Sequence, residues 1–272
     1  MKETSLLDRI LEPDGLRVLF QPIFHLLEDG WHLHALEALM RGPVGTNMES
    51  ADVLFEYVRR KREETLVDRE CIARVLRAAR DLPDAPIFSL NVHASTLGRD
   101  HDFLAFLADA AAESSIEPSR LVIEIVEHSP YWDGPSFLAA LEGLRGIGVR
   151  IALDDIGLGQ SNYRMILECR PDYYKIDRYV VSGSGTCYYR KVMLRSIAEL
   201  AENFGGRTVA EGVDNLVDLG AVISTGLCLV QGFLLAMPMP VAAVRASDWL
   251  NGVPLAVDVR RVSSPAEFVG AA

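Results

Sequence analysis

Positive charge, cysteine and long apolar runs are all scarce in this chain of 272 residues. Lys and Arg total 27 against 38 Asp and Glu, a formal charge of -11. That balance argues against duplex nucleic acid or an anionic membrane as the main partner, because both attract cationic surfaces. A small anionic ligand stays compatible with it where a metal or a local Arg offsets the field. The four cysteines, Cys71, Cys169, Cys187 and Cys228, are scattered and form no CxxC pair. This excludes a disulfide or zinc scaffold and fits a reduced compartment; Cys169, Cys187 and Cys228 read as small buried apolar residues. No apolar run reaches the ~20 residues of a membrane-spanning helix, and the acidic opening MKETSLLDRILEPDG is unlike a signal peptide. A cytoplasmic protein is the expectation.

What is present is a regular alternation of strand and helix patterns. Residues 1–15 predict a short helical extension closed by Pro13-Asp14-Gly15. RVLFQPIF (Arg17 to Phe24) and HLHALEALMR (His32 to Arg41) predict two strands joined through Glu28-Asp29-Gly30, a turn so short that they must pair antiparallel. Ser50 to Leu82 has helical periodicity, followed by a strand at Ile87 to Ala94 and a helix from His101 to Glu113. Strands are then expected at Leu121 to Glu127, Val149 to Asp155, Asp172 to Asp177, Arg207 to Val213 and Cys228 to Phe233. Helices separate them, the longest at Tyr189 to Phe204 with Val192, Ile197, Leu200 and Ala201 on its inner face. Eight strands at this length, mostly parallel by their spacing, predict an α/β fold closed as a TIM-like (β/α)8 barrel over residues 16–250. Residues 251–272 read as an irregular or loosely docked tail.

The stretch IALDDIGLGQ, Ile151 to Gln160, is the most informative. An apolar strand ends in two adjacent acids, and Asp154 and Asp155 repel one another unless something holds both ionised. A divalent cation does this, although Asp before a turn also caps backbone donors. The other strands end alike: Gln21 in the first, Glu37 and Arg41 in the second, Asn91, then Glu124 and Glu127, then Lys175, Glu211 and Gln231. In a barrel these converge on the C-terminal mouth, where barrel enzymes keep their chemistry. Glu37, Asn91, Glu124, Asp154, Asp155 and Glu211 form an oxygen-only donor set without His or Cys, suited to Mg²⁺ or Mn²⁺ rather than zinc, with carboxylates enough for two ions. His93 and His128 fall one or two residues from these positions and read as ordinary polar contacts.

The segments QPI (21–23), EALMR (37–41), LNVHAS (90–95), IEIVE (123–127), LDD (153–155), KIDR (175–178), AEGVD (210–214) and QGF (231–233) resemble, in order and spacing, the signature of EAL domains. These are bacterial phosphodiesterases that open the cyclic dinucleotide c-di-GMP. The resemblance spans about residues 16–245 and implies a barrel whose first strand runs against the others. It implies that Glu37, Asn91, Glu124 and Asp154 hold one metal, that Asp155 serves a second, and that Glu211 shares the metal-and-water site. Lys175 would stand beside the attacking water, so that Glu37, Lys175 and Glu211 carry catalysis. Gln21, Leu39, Arg41, Asn91, Asp214 and Gln231 match substrate-contacting positions, Arg41 through a phosphate.

Some positions depart from that pattern. The loop usually written DDFGTGYSS stands here as DDIGLGQSN, so Ile156, Leu158, Gln160 and Asn162 replace an aromatic, a Thr, a Tyr and a Ser. Glu127, which braces this loop in the family, faces Leu158 in place of a hydrogen-bonding Thr. Gly42 replaces a Trp and Asp214 a Glu. The expectation is a phosphodiesterase cutting c-di-GMP to linear pGpG by a two-metal-activated water, with a catalytically silent c-di-GMP receptor or protein-interaction module as its rival. A family-type homodimer would have the loop at 156–162 near its contact.

Overall fold

The computed structural model describes residues 6–82, 85–126, 134–158 and 163–257. After helix α1 (Leu6–Leu11), strands β1 (Arg17–Leu27), β2 (Gly30–Arg41), β3 (Phe88–His93), β4 (Leu121–Val126), β5 (Arg150–Ile156), β6 (Tyr173–Ile176), β7 (Arg207–Ala210) and β8 (Leu229–Val230) close in chain order into one barrel. β1 is antiparallel to both β2 and β8, and every other neighbouring pair is parallel. The reversal follows from the tight turn at Glu28-Asp29: Gly30 takes φ 138°, a region open to glycine, so no crossover helix intervenes.

Helices α2 (Ala51–Lys61) and α3 (Glu64–Ala79) follow β2, and α4 (Ala94–Arg99) and α5 (Phe103–Glu113) follow β3. Then α6 (Gly134–Gly146) follows β4, α7 (Tyr163–Cys169) β5, and α8 (Arg178–Val181) with α9 (Tyr188–Asn203) β6. Helices α10 (Leu216–Ser224) and α11 (Val241–Arg245) follow β7 and β8. Three βα loops end in a residue that satisfies helix donors: His93 Nδ1 accepts from Ser95 N, Asp177 from Tyr179 N and Asn215 from Asp218 N.

Strand alternation sorts the apolar residues into two cores. Outward-facing Phe24, Leu36, Phe88, Ile123, Ile151 and Tyr174 are sealed against the helices. Inward-facing Ile23, Ala35, Val122, Ala152, Tyr173, Val209 and Leu229, with Ile87 just before β3, form a dry layer across the barrel. Burying a large aliphatic side chain stabilises by roughly 2 kcal/mol, so these layers dominate the fold.

Both ends of the barrel domain are tied down by polar contacts. Arg74 on α3 is buried and donates to the carbonyls of Glu12 (2.7 Å), Pro13 (2.6 Å) and Leu16 (2.9 Å), docking the chain after α1. In the tail, Leu255 and Trp31 exchange backbone hydrogen bonds of 2.8 and 3.4 Å.

The structure corrects several expectations. β7 stops at Ala210 and β8 holds only Leu229 and Val230, so Glu211 and Gln231 lie just past the strand ends at the mouth. Closure against β1 is completed instead by mutual bonds between Phe20 and Met239 (2.8 and 2.9 Å). Val192 is 42% exposed and does not belong to the inner face of α9, which Leu194, Ile197 and Ala201 form. Cys187 and Cys228 are only partly buried.

Gly232 sits where the backbone leaving β8 crosses that leaving β7, and a Cβ there would meet Val213 O at 2.1 Å. Gly232→Ala is expected to destabilise by about 1–3 kcal/mol in chemical denaturation; an unchanged midpoint would contradict this packing.

Candidate functional site

The residues singled out at the strand ends do converge. At the C-terminal mouth the Lys175 ammonium, 2% exposed, lies 3.2 Å from Glu37, 2.6 Å from Glu211 and 3.4 Å from Asp154, and it also contacts Glu124. Four strands and the residue after a fifth supply this cluster: β2, β4, β5, β6 and β7. Gln231 Nε2 donates to Glu37 (2.7 Å) and to Gln21 (3.2 Å), and Gln21 Nε2 donates to Ala236 O. Asn91 Nδ2 donates to Glu37 Oε1 at 3.2 Å.

Adjacent residues on a strand point to opposite faces, so Asp154 and Asp155 can share the mouth only if the strand breaks step. It does: the β5–β6 register shifts between Leu153 and Ile156, and Asp155 adopts φ 55°. The left-handed conformation is one Asp tolerates better than most residues. Asp154 stays on the inward face of Arg150 and Ala152, and the bulge swings Asp155 beside it, where both line one cavity.

Electrostatics here is dominated by burial. Desolvation pushes the Glu124 carboxyl well above the usual range, repulsion from Glu37 adds to it, and Lys175 opposes it. Glu211 is raised for the same first reason, again against Lys175. Asp155 rises to about 6 through burial and then the Asp154 and Asp177 charges. Burial alone would depress Lys175, but Asp154, Glu124, Glu211 and Glu37 outweigh it and hold the ammonium protonated. One cation thus faces four carboxylates, and buried charge of one sign is costly unless compensated.

The donor set fits a hard cation. Glu37, Glu124 and Glu211 each offer an oxygen within 4.8 Å of the others. Asp154 Oδ1 is buried without a hydrogen bond, although the Lys175 ammonium lies 3.4 Å from it. Asn91 touches the cluster through Glu37, and Asp155 lines the cavity beside it.

A cavity of about 420 Å³ opens beside the cluster. Glu37, Leu39, Arg41, Asn91, Asp154 and Asp155 line it at one end, and Phe55, Val58, Ile72 and Val75 at the other. Asp214 is not brought there: its carboxylate accepts from Phe233 N and Arg178, both at 3.1 Å, and ties the loop after β7 to that after β8. Glu127 and His128 lie outside the described residues.

Sequence reading missed three residues. Ser89 Oγ donates to Glu124 Oε2 at 2.9 Å, and its place two residues before Asn91 on β3 was the available signal. Asp177, two residues after Lys175, faces Asp155. Asp68 on α3 is buried at the cavity wall, where it accepts from His93 N (3.0 Å) and the Thr96 hydroxyl (2.6 Å) and so fixes the exit of β3; nothing in α3's periodicity marks it.

The fold and site together define an eight-stranded barrel protein with a cluster of buried carboxylates at its C-terminal mouth that could hold a metal ion. Residues 4–238 match the EAL domain model, and the chain belongs to the EAL domain family. It is 28% identical over 250 residues to the cyclic di-GMP phosphodiesterase NbdA of Pseudomonas aeruginosa, covering 88% of this chain and 31% of that protein. It is 33% identical over 159 residues to an uncharacterized protein of Mycobacterium tuberculosis, covering 58% of this chain and 25% of that one. The chain therefore spans only about a quarter to a third of these curated relatives. Among solved structures, the manganese/cy-diGMP complex of Klebsiella pneumoniae BlrP1 is similar with a TM-score of 0.75 at 25% identity, covering 84% of this chain and 57% of that one. Among the described residues, no helix is long and apolar enough to cross a membrane.

Burial raises the Asp68 carboxyl to about 7, against the opposing hydrogen bonds from Thr96 and His93. Unfolded, this group loses its proton near its ordinary value of 3.8, so between there and 7 the folded state binds more protons. Its stabilisation is complete below that range and is lost as pH rises through about 7. The stability of wild type relative to Asp68→Asn should fall by up to ~1.4 kcal/mol per pH unit between pH 4 and 7, measured by urea unfolding. Parallel curves for the two proteins would refute the assignment.

Proposed function

We propose that this chain is a c-di-GMP phosphodiesterase that hydrolyses its substrate to linear pGpG with two Mg²⁺ or Mn²⁺ ions. The observation that carries this reading is the crowd of Glu37, Glu124, Asp154 and Glu211 around one buried ammonium, with Asp155 swung in beside them. Glu37, Asn91, Glu124, Asp154, Asp155 and Glu211 would hold the ions. Bound there, the ions would supply a more acidic water and neutralise charge on the phosphodiester.

The chain's own residues account for the rest. Lys175, held protonated, cannot serve as a base; it is suited to donate to the attacking water and to stabilise charge on the phosphoryl oxygens. Glu211, raised by burial and partly open to the mouth, is suited to take a proton from that water. Glu37 links the two halves of the site, since it accepts from both Asn91 and Gln231. Arg41 at the cavity wall offers a planar fork to a phosphate, a geometry Lys lacks. Leu39 lines the cavity, whose volume suits a nucleotide base, and Gln21 and Gln231, hydrogen-bonded to one another beside Glu37, would contact the substrate in this reading.

A homodimer is part of the same reading. Tyr163 and Leu167 on α7 and Tyr188, Tyr189 and Met193 on α9 are large, apolar and exposed. Sedimentation at the monomer mass would exclude it.

A silent c-di-GMP receptor is the second reading, favoured by Leu158, an exposed apolar side chain where the family has a hydrogen-bonding Thr.

Purified protein with c-di-GMP and Mg²⁺ or Mn²⁺ should yield the linear dinucleotide in a chromatographic time course, and EDTA should stop it. Binding by calorimetry without product would instead support the receptor. Glu37→Ala is expected to cost at least ~100-fold in turnover while the circular dichroism of the barrel is kept, since it removes a mouth carboxylate and no core packing. Wild-type turnover in that variant would sink the site assignment.

A further inference from the structure

At the opposite end of the barrel, the strands that deliver the acids carry bases. On β5, Arg150 lies four residues before Asp154, and Arg207 at the start of β7 lies four before Glu211. Alternation puts each Arg on the same inward face as its acid. β1 runs the other way, so His25 reaches this end four residues after Gln21. The β1–β2 register breaks between Ile23 and Phe24, leaving His34 as the extra residue of β2 opposite that step. The dry layer of Ile23, Ala35, Ile87, Val122, Ala152, Tyr173, Val209 and Leu229 separates this mouth from the acidic one.

These groups form one connected cluster. Arg150 Nη1 donates to the Tyr173 hydroxyl at 2.9 Å, and His34 Nε2 lies 3.1 Å from the same oxygen. The His34 and His25 rings are 6.1 Å apart, and Arg207 Nη2 lies 3.4 Å from His25 Nε2. Among the described residues neither Arg150 nor Arg207 forms an ion pair with a carboxylate. Nearby acids are otherwise placed: Asp172 accepts from Ile151 N at 2.8 Å, and Asp29 pairs with His32. Glu199 and Glu202 line a neighbouring cavity of about 460 Å³, which Arg195, Arg207, Thr208 and Thr225 also border.

Two guanidiniums that both act on the His34 ring, neither paired with a carboxylate, are a costly arrangement in a chain of charge -11, which has acids to spare; Arg150 Nη2 has only the Ser119 carbonyl, at 2.8 Å. The imidazoles report the same field. Burial first, then Arg207, His25 and Arg150, pull His34 down to about 3, and no carboxylate opposes them. His25 is lowered by burial, Arg207 and His32. Neutral imidazoles can bind metals, but the flanking guanidiniums repel a cation; an anion meets four groups able to donate to it.

We propose that the N-terminal mouth of the barrel is a binding site for a small phosphate-type oxyanion, held by Arg150 and Arg207 with His25 and His34 as further donors. It lies across the dry layer from Arg41 and is independent of the phosphodiesterase reading.

The test uses the full chain in EDTA, titrated with inorganic phosphate against chloride at matched ionic strength, by calorimetry and by NMR of the histidine imidazoles. Saturable phosphate binding is expected, with the His25 and His34 resonances shifting together and both titrating at higher pH when the anion is bound. Arg207→Gln, a change at an exposed side chain, should weaken binding at least about tenfold, the loss of one charge-assisted contact, and Arg150→Gln should do likewise. Adenosine monophosphate competing with phosphate at these residues would assign the ligand as a nucleotide phosphoryl group, and its failure to compete would assign the free ion. No saturable response, or a response unchanged in Arg207→Gln, would overturn the proposal. Should Arg150→Gln fail to fold, the exposed Arg207→Gln and the wild-type histidine titration still decide.

Discussion

The buried ammonium of Lys175 is the constraint on which the mouth of this barrel depends. Four carboxylates from separate strands approach one another there, and without a cation their repulsion in a desolvated site would drive them apart or neutralise them. Lys175 gathers them, yet one charge does not balance four. That residual imbalance, with burial as the larger cause, holds Glu124 and Glu211 well above the usual carboxylate range.

The rest of the fold serves to hold that arrangement still. The apolar layer below Lys175 excludes water from the barrel interior, so the charges above it sit on a low-dielectric floor. The β5 bulge turns what would be one inward acid and one outward acid into a pair. Asp68, Ser89 and Gln231 then fix the strand ends by hydrogen bonds that a purely hydrophobic barrel would lack. The loops after β7 and β8 are stitched together by Asp214, which shapes the rim from outside the cavity.

The same alternation gives the barrel a charge polarity. Strands with an acid at the C-terminal end and Arg at the N-terminal end, four residues apart, place opposite signs on either side of the dry layer. Attraction across that layer favours both ends at once, since each lowers the cost of the other's unpaired charge.

Much of this was legible in the sequence. Eight strand patterns separated by helical ones determined the barrel, the short turn at Gly30 determined that β1 runs antiparallel, and polar residues at the strand ends named Glu37, Asn91, Glu124, Asp154, Lys175 and Glu211, all of which meet at one mouth. Periodicity carries that information because it depends only on neighbours along the chain. Tertiary structure alone decided that Asp154 and Asp155 face the same way, because a bulge is set by the pairing partner. It alone decided that Asp214 ties loops together, that Val192 faces outward, and that Asp68 reaches β3 from a helix. It also decided that Arg150 and Arg207 close ranks with two histidines at the far end. Each depends on a contact between segments distant in sequence, and such contacts exist only once the barrel has closed.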